Sequence, residues 1–208
     1  MKIEKKYVYD LFLRVLHLVI AASTLVLLLS AKFAEINEGE GYLRKAFWVI
    51  HIFAGYSLSI AFILRIIWGF VGPAHARFSS FFHVKEWRKL LETKNIKDIV
   101  WNWGHHPLAS IAYLAFYLSV LILSISGILL SAIEHDRGPL AKWLYDELAY
   151  KHTIAEIHEA FTWIIIIFII SHIFALFYHE NEDGVPVVQS MFSGFQFKKS
   201  KKENENEK

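Results

Sequence analysis

Two histidines on one apolar run set the chemistry open to this chain. His158 and His172 lie fourteen positions apart within Ala155–Phe174. At a rise of ~1.5 Å and about 100° per residue, that spacing is just under four helical turns. The two imidazoles then fall within roughly 40° of one helix face and about 21 Å apart along it. Such a separation suits two ligand levels in a bilayer core about 30 Å thick. His17 and His51 stand inside two other apolar runs. Ionisable groups at membrane depth are rare and usually functional, because an unsatisfied polar group in hydrocarbon is costly. The spacing predicts that the 155–174 helix supplies one axial ligand to each of two stacked b-type haems.

The elements that must position these side chains follow from hydropathy. The 208 residues are 55% hydrophobic and 16% aromatic but only 20% charged, and several apolar stretches reach the ~20 residues needed to cross a bilayer. The predicted spans are 11–34, 46–71, 107–133 and 154–178. Together they make an all-α membrane protein, a four-transmembrane-helix bundle forming one domain over 1–197. Residues 198–208 read as a basic and polar disordered tail. The first apolar run is too long for a signal peptide and lacks its small-residue cleavage site, so it counts as an uncleaved span. Gly72-Pro73 ends the second span and Pro107 opens the third. Residues 78–91 mix aromatic and basic side chains as a surface-lying helix does. Cysteine is absent, which excludes disulfides, cysteine-held iron–sulfur clusters and covalent haem attachment.

Charge between the spans assigns sidedness. Fourteen Lys and Arg fall in the N-terminal tail, the 74–106 segment and the C-terminal segment; six fall in the other two connectors, counted as 32–45 and 134–153 so that Lys32 at the end of the first span is included. The positive-inside bias places both termini in the cytoplasm and the two lysine-poor connectors outside, as expected for a multi-pass protein of the bacterial inner membrane. This orientation sorts the histidines by depth into two pairs. His17 and His172 lie toward the cytoplasm, and His51 and His158 toward the outside. A bis-histidine pair at one depth on neighbouring helices holds a haem with no open iron position, which favours electron transfer over gas binding. The competing reading is that each histidine bonds a carbonyl across helices. It does not require four histidines matched in depth.

Other residues fit the same geometry less specifically. Gly55, one turn past His51, would let a porphyrin approach the backbone or let two helices pack closely. Arg65, fourteen positions after His51, could pair with a haem propionate or snorkel to the interface, and Arg14 carries the same two readings. His105-His106-Pro107 could line a quinone pocket or end a loop, and His179 lies at the same interface. His75, His83, His135 and His152 fall outside the spans and are expected to be solvated. The tryptophans near the span ends are expected in an interfacial belt.

These motifs are similar to those of a known family. Arg14-Val15-Leu16-His17 opens the match. Tyr42-Leu43-Arg44 leads to His51 and Gly55, and Arg65-Ile66-Ile67-Trp68-Gly69-Phe70-Val71-Gly72 follows. Next come Gly104-His105-His106-Pro107-Leu108-Ala109 and the His158/His172 spacing. The match ends with His179-Glu180-Asn181-Glu182-Asp183 and Ser190-Met191-Phe192-Ser193-Gly194-Phe195. In nearly its whole length the chain resembles the membrane-embedded cytochrome b subunit of nickel–iron uptake hydrogenases, within the wider superfamily of bacterial four-span di-haem cytochromes. It departs from that family's usual residues at Leu11, Leu18, His106 and Phe195.

The resemblance implies two haem b, the hydrogenase small and large subunits on the outer face, and electron flow from their iron–sulfur clusters to membrane quinone. Hydrogen oxidation itself would then lie outside this chain, which has no catalytic residue of its own. The lipid bilayer is the other partner, and no nucleic acid is expected. Two readings from the same superfamily stand beside it: a stand-alone quinol-oxidising cytochrome, and the cytochrome subunit of another respiratory oxidoreductase. A transporter with histidine proton relays also satisfies the spacing alone.

Overall fold

The computed structural model describes residues 3–39, 41–81, 92, 107–144 and 148–199. Four of its helices are long and apolar enough to cross a membrane. They are α1 (Leu11–Ile36), α2 (Gly41–Val71), α3 (Pro107–His135) and α5 (Lys151–Asp183). Two one-turn helices, α4 (Ala141–Leu144) and α6 (Ser190–Ser193), and two strands, β1 (Ile3–Tyr7) and β2 (Phe195–Lys199), complete the named elements. All four long helices extend past the predicted spans. At 33 residues α5 is about 50 Å long, more than a bilayer core requires.

The chain forms two compact units, each drawing on several stretches of sequence. One comprises Val15–Ile67 and Ile111–Phe168. Its interior mixes apolar side chains such as Leu58, Phe62, Val120 and Ile165 with small and hydroxyl ones: Ser23, Ser30, Ala61, Ser119, Ser126 and Ala132 are buried. Small residues let helix backbones approach where no hydrophobic force drives them together. The hydroxyls return their protons to their own helices: Ser119 donates to the Ala115 carbonyl and Ser59 to that of Gly55, both at 2.8 Å. Large apolar side chains such as Leu25, Ile60, Leu114 and Ile167 point outward, as suits a surface solvated by lipid. Tyr56 bonds Ser131 at 3.1 Å and leaves no room for a Cβ on Gly138, which also has φ +93°.

The other unit comprises Met1–Arg14, Trp68–Ser110 and Ile169–Lys208. Asp10 caps α1 by accepting the Leu13 N–H at 3.0 Å and also accepts from the Trp68 indole at 3.3 Å. Strands β1 and β2 pair antiparallel, Ile3 opposite Lys199 and Tyr7 opposite Phe195. Gly194, with φ +83°, ends α6; a Cβ there would strike the Tyr7 ring and the Tyr9 carbonyl. The Gly194 carbonyl accepts the N–H groups of Val8 and Tyr9 at 2.9 and 3.1 Å.

This sheet corrects two expectations. The polar N-terminal segment is a strand for residues 3–7, and Lys198 and Lys199 belong to its partner strand instead of a tail. The pairing joins positions nearly two hundred residues apart, so no local pattern announces it. Of the predicted surface helix over 78–91, Phe78–Phe81 is a 3-10 turn and the remainder lies outside the described residues, as do His83, His105, His106 and residues 200–208.

Candidate functional site

His51 on α2 and His158 on α5 face each other with ring centres 6.4 Å apart and planes at 62°. An iron held through Nε2 of both rings would separate their centres by about 6.3 Å, given metal–imidazole bonds of about 2.0–2.1 Å and a ring nitrogen about 1.1 Å from its centre. The observed spacing fits a bis-imidazole iron.

The partners of the two Nδ1 atoms bear on which tautomer each ring adopts. His51 Nδ1 lies 3.0 Å from the Leu27 carbonyl, an acceptor only, so this nitrogen carries the proton. Ser30, whose hydroxyl donates to the same carbonyl at 3.1 Å, flanks the ring at 3.3 Å. Ser126 donates its own proton to the Ile122 carbonyl at 2.7 Å. Its oxygen is then the acceptor for His158 Nδ1, 2.8 Å away. Both Nδ1 atoms therefore donate and both Nε2 lone pairs are left for a metal, the arrangement that orients ligating imidazoles in general.

Neighbouring residues shape the same place. Gly127 follows Ser126, and a Cβ on it would come within 3.3 Å of His158 Cε1. Trp48 meets His51 edge-on at 5.4 Å and His135 at 5.7 Å. His135 is thus half-buried against an indole and not solvated as its place outside the predicted spans suggests. His152 is exposed and lies 3.3 Å from Glu156. Gly55 is not held by close packing: among the described residues, an added Cβ would meet only Leu27 Cδ2 at 3.8 Å.

His17 is exposed on α1 and belongs to the same unit as His51; His172 is half-buried on α5 and belongs to the other unit. Arg65 is 5% exposed, with its guanidinium 5.7 Å from the centre of the Tyr117 ring, whose hydroxyl it bonds. This is a buried arginine, not one that snorkels to the interface. Arg14 donates to the Phe192 carbonyl, a link between α1 and α6 that the sequence reading missed. His179 is exposed and packs edge-on against Tyr178 at 5.8 Å. Among the described residues, no group of three or more His, Cys, Asp and Glu could hold a bare metal ion. Ser126, Gly127 and Tyr117 were also missed. The Ser126-Gly127 pair in an apolar span was the available signal, since small and hydroxyl residues mark helix contacts in membranes.

Four apolar helices with two facing imidazoles define a multi-pass membrane protein of the b-type cytochrome class. The chain belongs to the prokaryotic cytochrome b561 family, whose sequence pattern matches residues 8–194. Haem b is the cofactor that membership implies, and the residues around His51 and His158 fit it. The chain is 28% identical to the probable Ni/Fe-hydrogenase B-type cytochrome subunit of Rhizobium leguminosarum bv. viciae, over 92% of this chain and 88% of that protein. It is also 28% identical to the protein of the same name from Bradyrhizobium diazoefficiens, over 90% and 84%. Against the probable Ni/Fe-hydrogenase 1 B-type cytochrome subunit of Escherichia coli K12 the identity is 25%, over 74% and 70%. No solved structure matches the chain.

Proposed function

We propose that this chain is the di-haem cytochrome subunit that anchors a periplasmic nickel–iron hydrogenase and delivers its electrons to membrane quinone. The observation that carries the reading is the His51–His158 pair, with ring centres 6.4 Å apart and each Nδ1 engaged by a neighbouring helix. The names of the relatives direct it toward hydrogenase.

Haem b, when bound, would supply one-electron oxidation and reduction, with His51 and His158 holding it. The work of the chain is to bind and orient. Leu27 and Ser126 keep one face of each imidazole protonated and fix the ring planes. His17 and His172 are the ligands of a second haem nearer the cytoplasm, and Arg14 and Arg65 lie on the helices that carry His17 and His51. Gly55 leaves room beside α2 for a macrocycle. The pairing of β1 with β2 supports an even number of spans with both strands on one side, and the charge bias between the spans makes that side the cytoplasm. His105, His106 and His179 are the candidate lining of a quinone pocket.

Two substitutions test these roles. Ser126→Ala leaves a buried Nδ1–H without its acceptor, and loss of such a partner weakens metal retention about 10–100-fold. Haem content after dialysis against apomyoglobin should fall accordingly, and Ser126→Thr should restore it. Arg65→Leu removes a cation that favours the reduced, less positive iron. The midpoint of one haem should drop by about 60 mV, a tenfold change in a one-electron equilibrium. An unchanged redox titration would remove Arg65 from a propionate role.

The function as a whole is tested by co-expression with hydrogenase small and large subunits. Co-purification of all three, and reduction of the cytochrome by H₂ in membranes, is the expected result. An active single-subunit species that oxidises quinol without partners would establish the stand-alone reading instead. Reduction only by another dehydrogenase would assign the chain to a different respiratory complex.

A further inference from the structure

We propose that the β1–β2 sheet is a peripheral binding site for anionic phospholipid headgroups, with Lys6 and Lys198 as its cationic contacts. The two five-residue strands, Ile-Glu-Lys-Lys-Tyr and Phe-Gln-Phe-Lys-Lys, hold four lysines against one glutamate. In an antiparallel pair, opposed residues share a face. The register opposes Glu4 to Lys198 and Lys6 to Gln196, so Lys6 and Lys198 are diagonal neighbours on one face. Ile3, Lys5, Tyr7, Phe195, Phe197 and, by register, Lys199 occupy the other, so two of the four lysines share a face with the aromatic rings.

The aromatic side chains are confined to that second face, and among the described residues it is not sealed by protein: Ile3 is 51% and Tyr7 49% exposed. Tyr7 and Phe195 pack edge to face at 5.4 Å, and the Lys5 ammonium stands over Phe195 at 4.0 Å. Aromatic rings beside lysine stems are the composition of a membrane interface. A lone two-stranded sheet is also marginal in water and needs a surface to lie on.

Chain continuity supplies that surface. Only Val8, Tyr9 and Asp10 separate β1 from the first turn of a membrane helix. Their backbone and side chains are tied down by the Gly194 carbonyl and the Trp68 indole, so the sheet cannot swing far from the boundary. At that level the aromatic rings meet the acyl boundary, the Lys5 stem runs along them toward the interface, and Lys6 and Lys198 meet phosphates. Burial and the neighbouring Lys6 ammonium hold Lys198 below the ordinary lysine range, a repulsion that an anionic headgroup relieves. Juxtamembrane lysines attract anionic lipid with about a fivefold gain in binding for each residue.

The test uses the full-length protein purified with its bound partners, titrated with phosphatidylglycerol or phosphatidylcholine and read by native mass spectrometry. The wild type should retain phosphatidylglycerol in preference to phosphatidylcholine, less so as salt is raised. Lys6→Gln/Lys198→Gln should weaken phosphatidylglycerol retention by up to about fivefold per lysine, while Lys6→Arg/Lys198→Arg retains it. No preference in the wild type would overturn the proposal, as would unchanged retention in the glutamine variant or equal loss in the arginine variant. The same loss in Lys142→Gln/Lys151→Gln would reduce the effect to net charge and overturn it as well.

Discussion

Replacing His158 with alanine should lower the haem content of the purified subunit from about two per chain to about one. The physical basis is the facing pair: His158 and His51 have ring centres 6.4 Å apart, and neither can satisfy both axial positions alone. The substitution is mild for the fold, since alanine is the best helix former and His158 lies inside a 33-residue helix. What disappears is the Nε2 lone pair that Ser126 aims by holding Nδ1–H. His51→Ala should give the same stoichiometry and the same residual spectrum, because each variant removes half of one site. Quinone reduction by H₂ should fall to background in both while the hydrogenase still reduces a soluble dye. Pyridine haemochromogen assay and low-temperature difference spectra check the result. Two haems with unaltered spectra in His158→Ala would dissolve the pairing.

The second large effect concerns the ligands assigned to the other haem. His17→Ala and His172→Ala should each leave about one haem per chain, and that haem should carry the spectrum lost in His158→Ala. The logic is that of a double-mutant cycle. If the two histidines hold one iron, His17→Ala/His172→Ala removes no more than either single substitution. Combining His172→Ala with His158→Ala should remove both haems. Loss on substituting one of His17 and His172 but not the other would break the second pair while leaving the first intact. Electron paramagnetic resonance resolves the outcomes, because bis-imidazole iron loses its low-spin signature when one ligand is removed.

Much of this arrangement was legible before any coordinates. Spans are written locally, as runs of apolar residues ended by Gly72-Pro73 or opened by Pro107. The helices begin and end within a few residues of those marks, with α2 starting at Gly41 and α5 at Lys151 because polar first turns extend beyond the hydrocarbon. The interest of His51 and His158 was equally visible, since an imidazole in an apolar run is costly unless something binds it. Arg65 was noticed through its spacing from His51, but spacing could not distinguish a buried cation from one reaching the interface. Packing against Tyr117 made that distinction.

The sequence by itself determined that four helices cross the membrane and which histidines travel inside them, because hydropathy and helical period are properties of consecutive residues. Only the tertiary structure decided which nitrogen of each imidazole is left for a metal. The acceptors that decide it, the Leu27 carbonyl and the Ser126 hydroxyl, come from helices 24 and 32 residues away from the rings they meet. Their positions depend on the rotation and offset of one helix against another, which no window of sequence contains. The pairing of β1 with β2 is of the same kind: two short polar-looking segments become a sheet only because folding brings the two ends of the chain to one place.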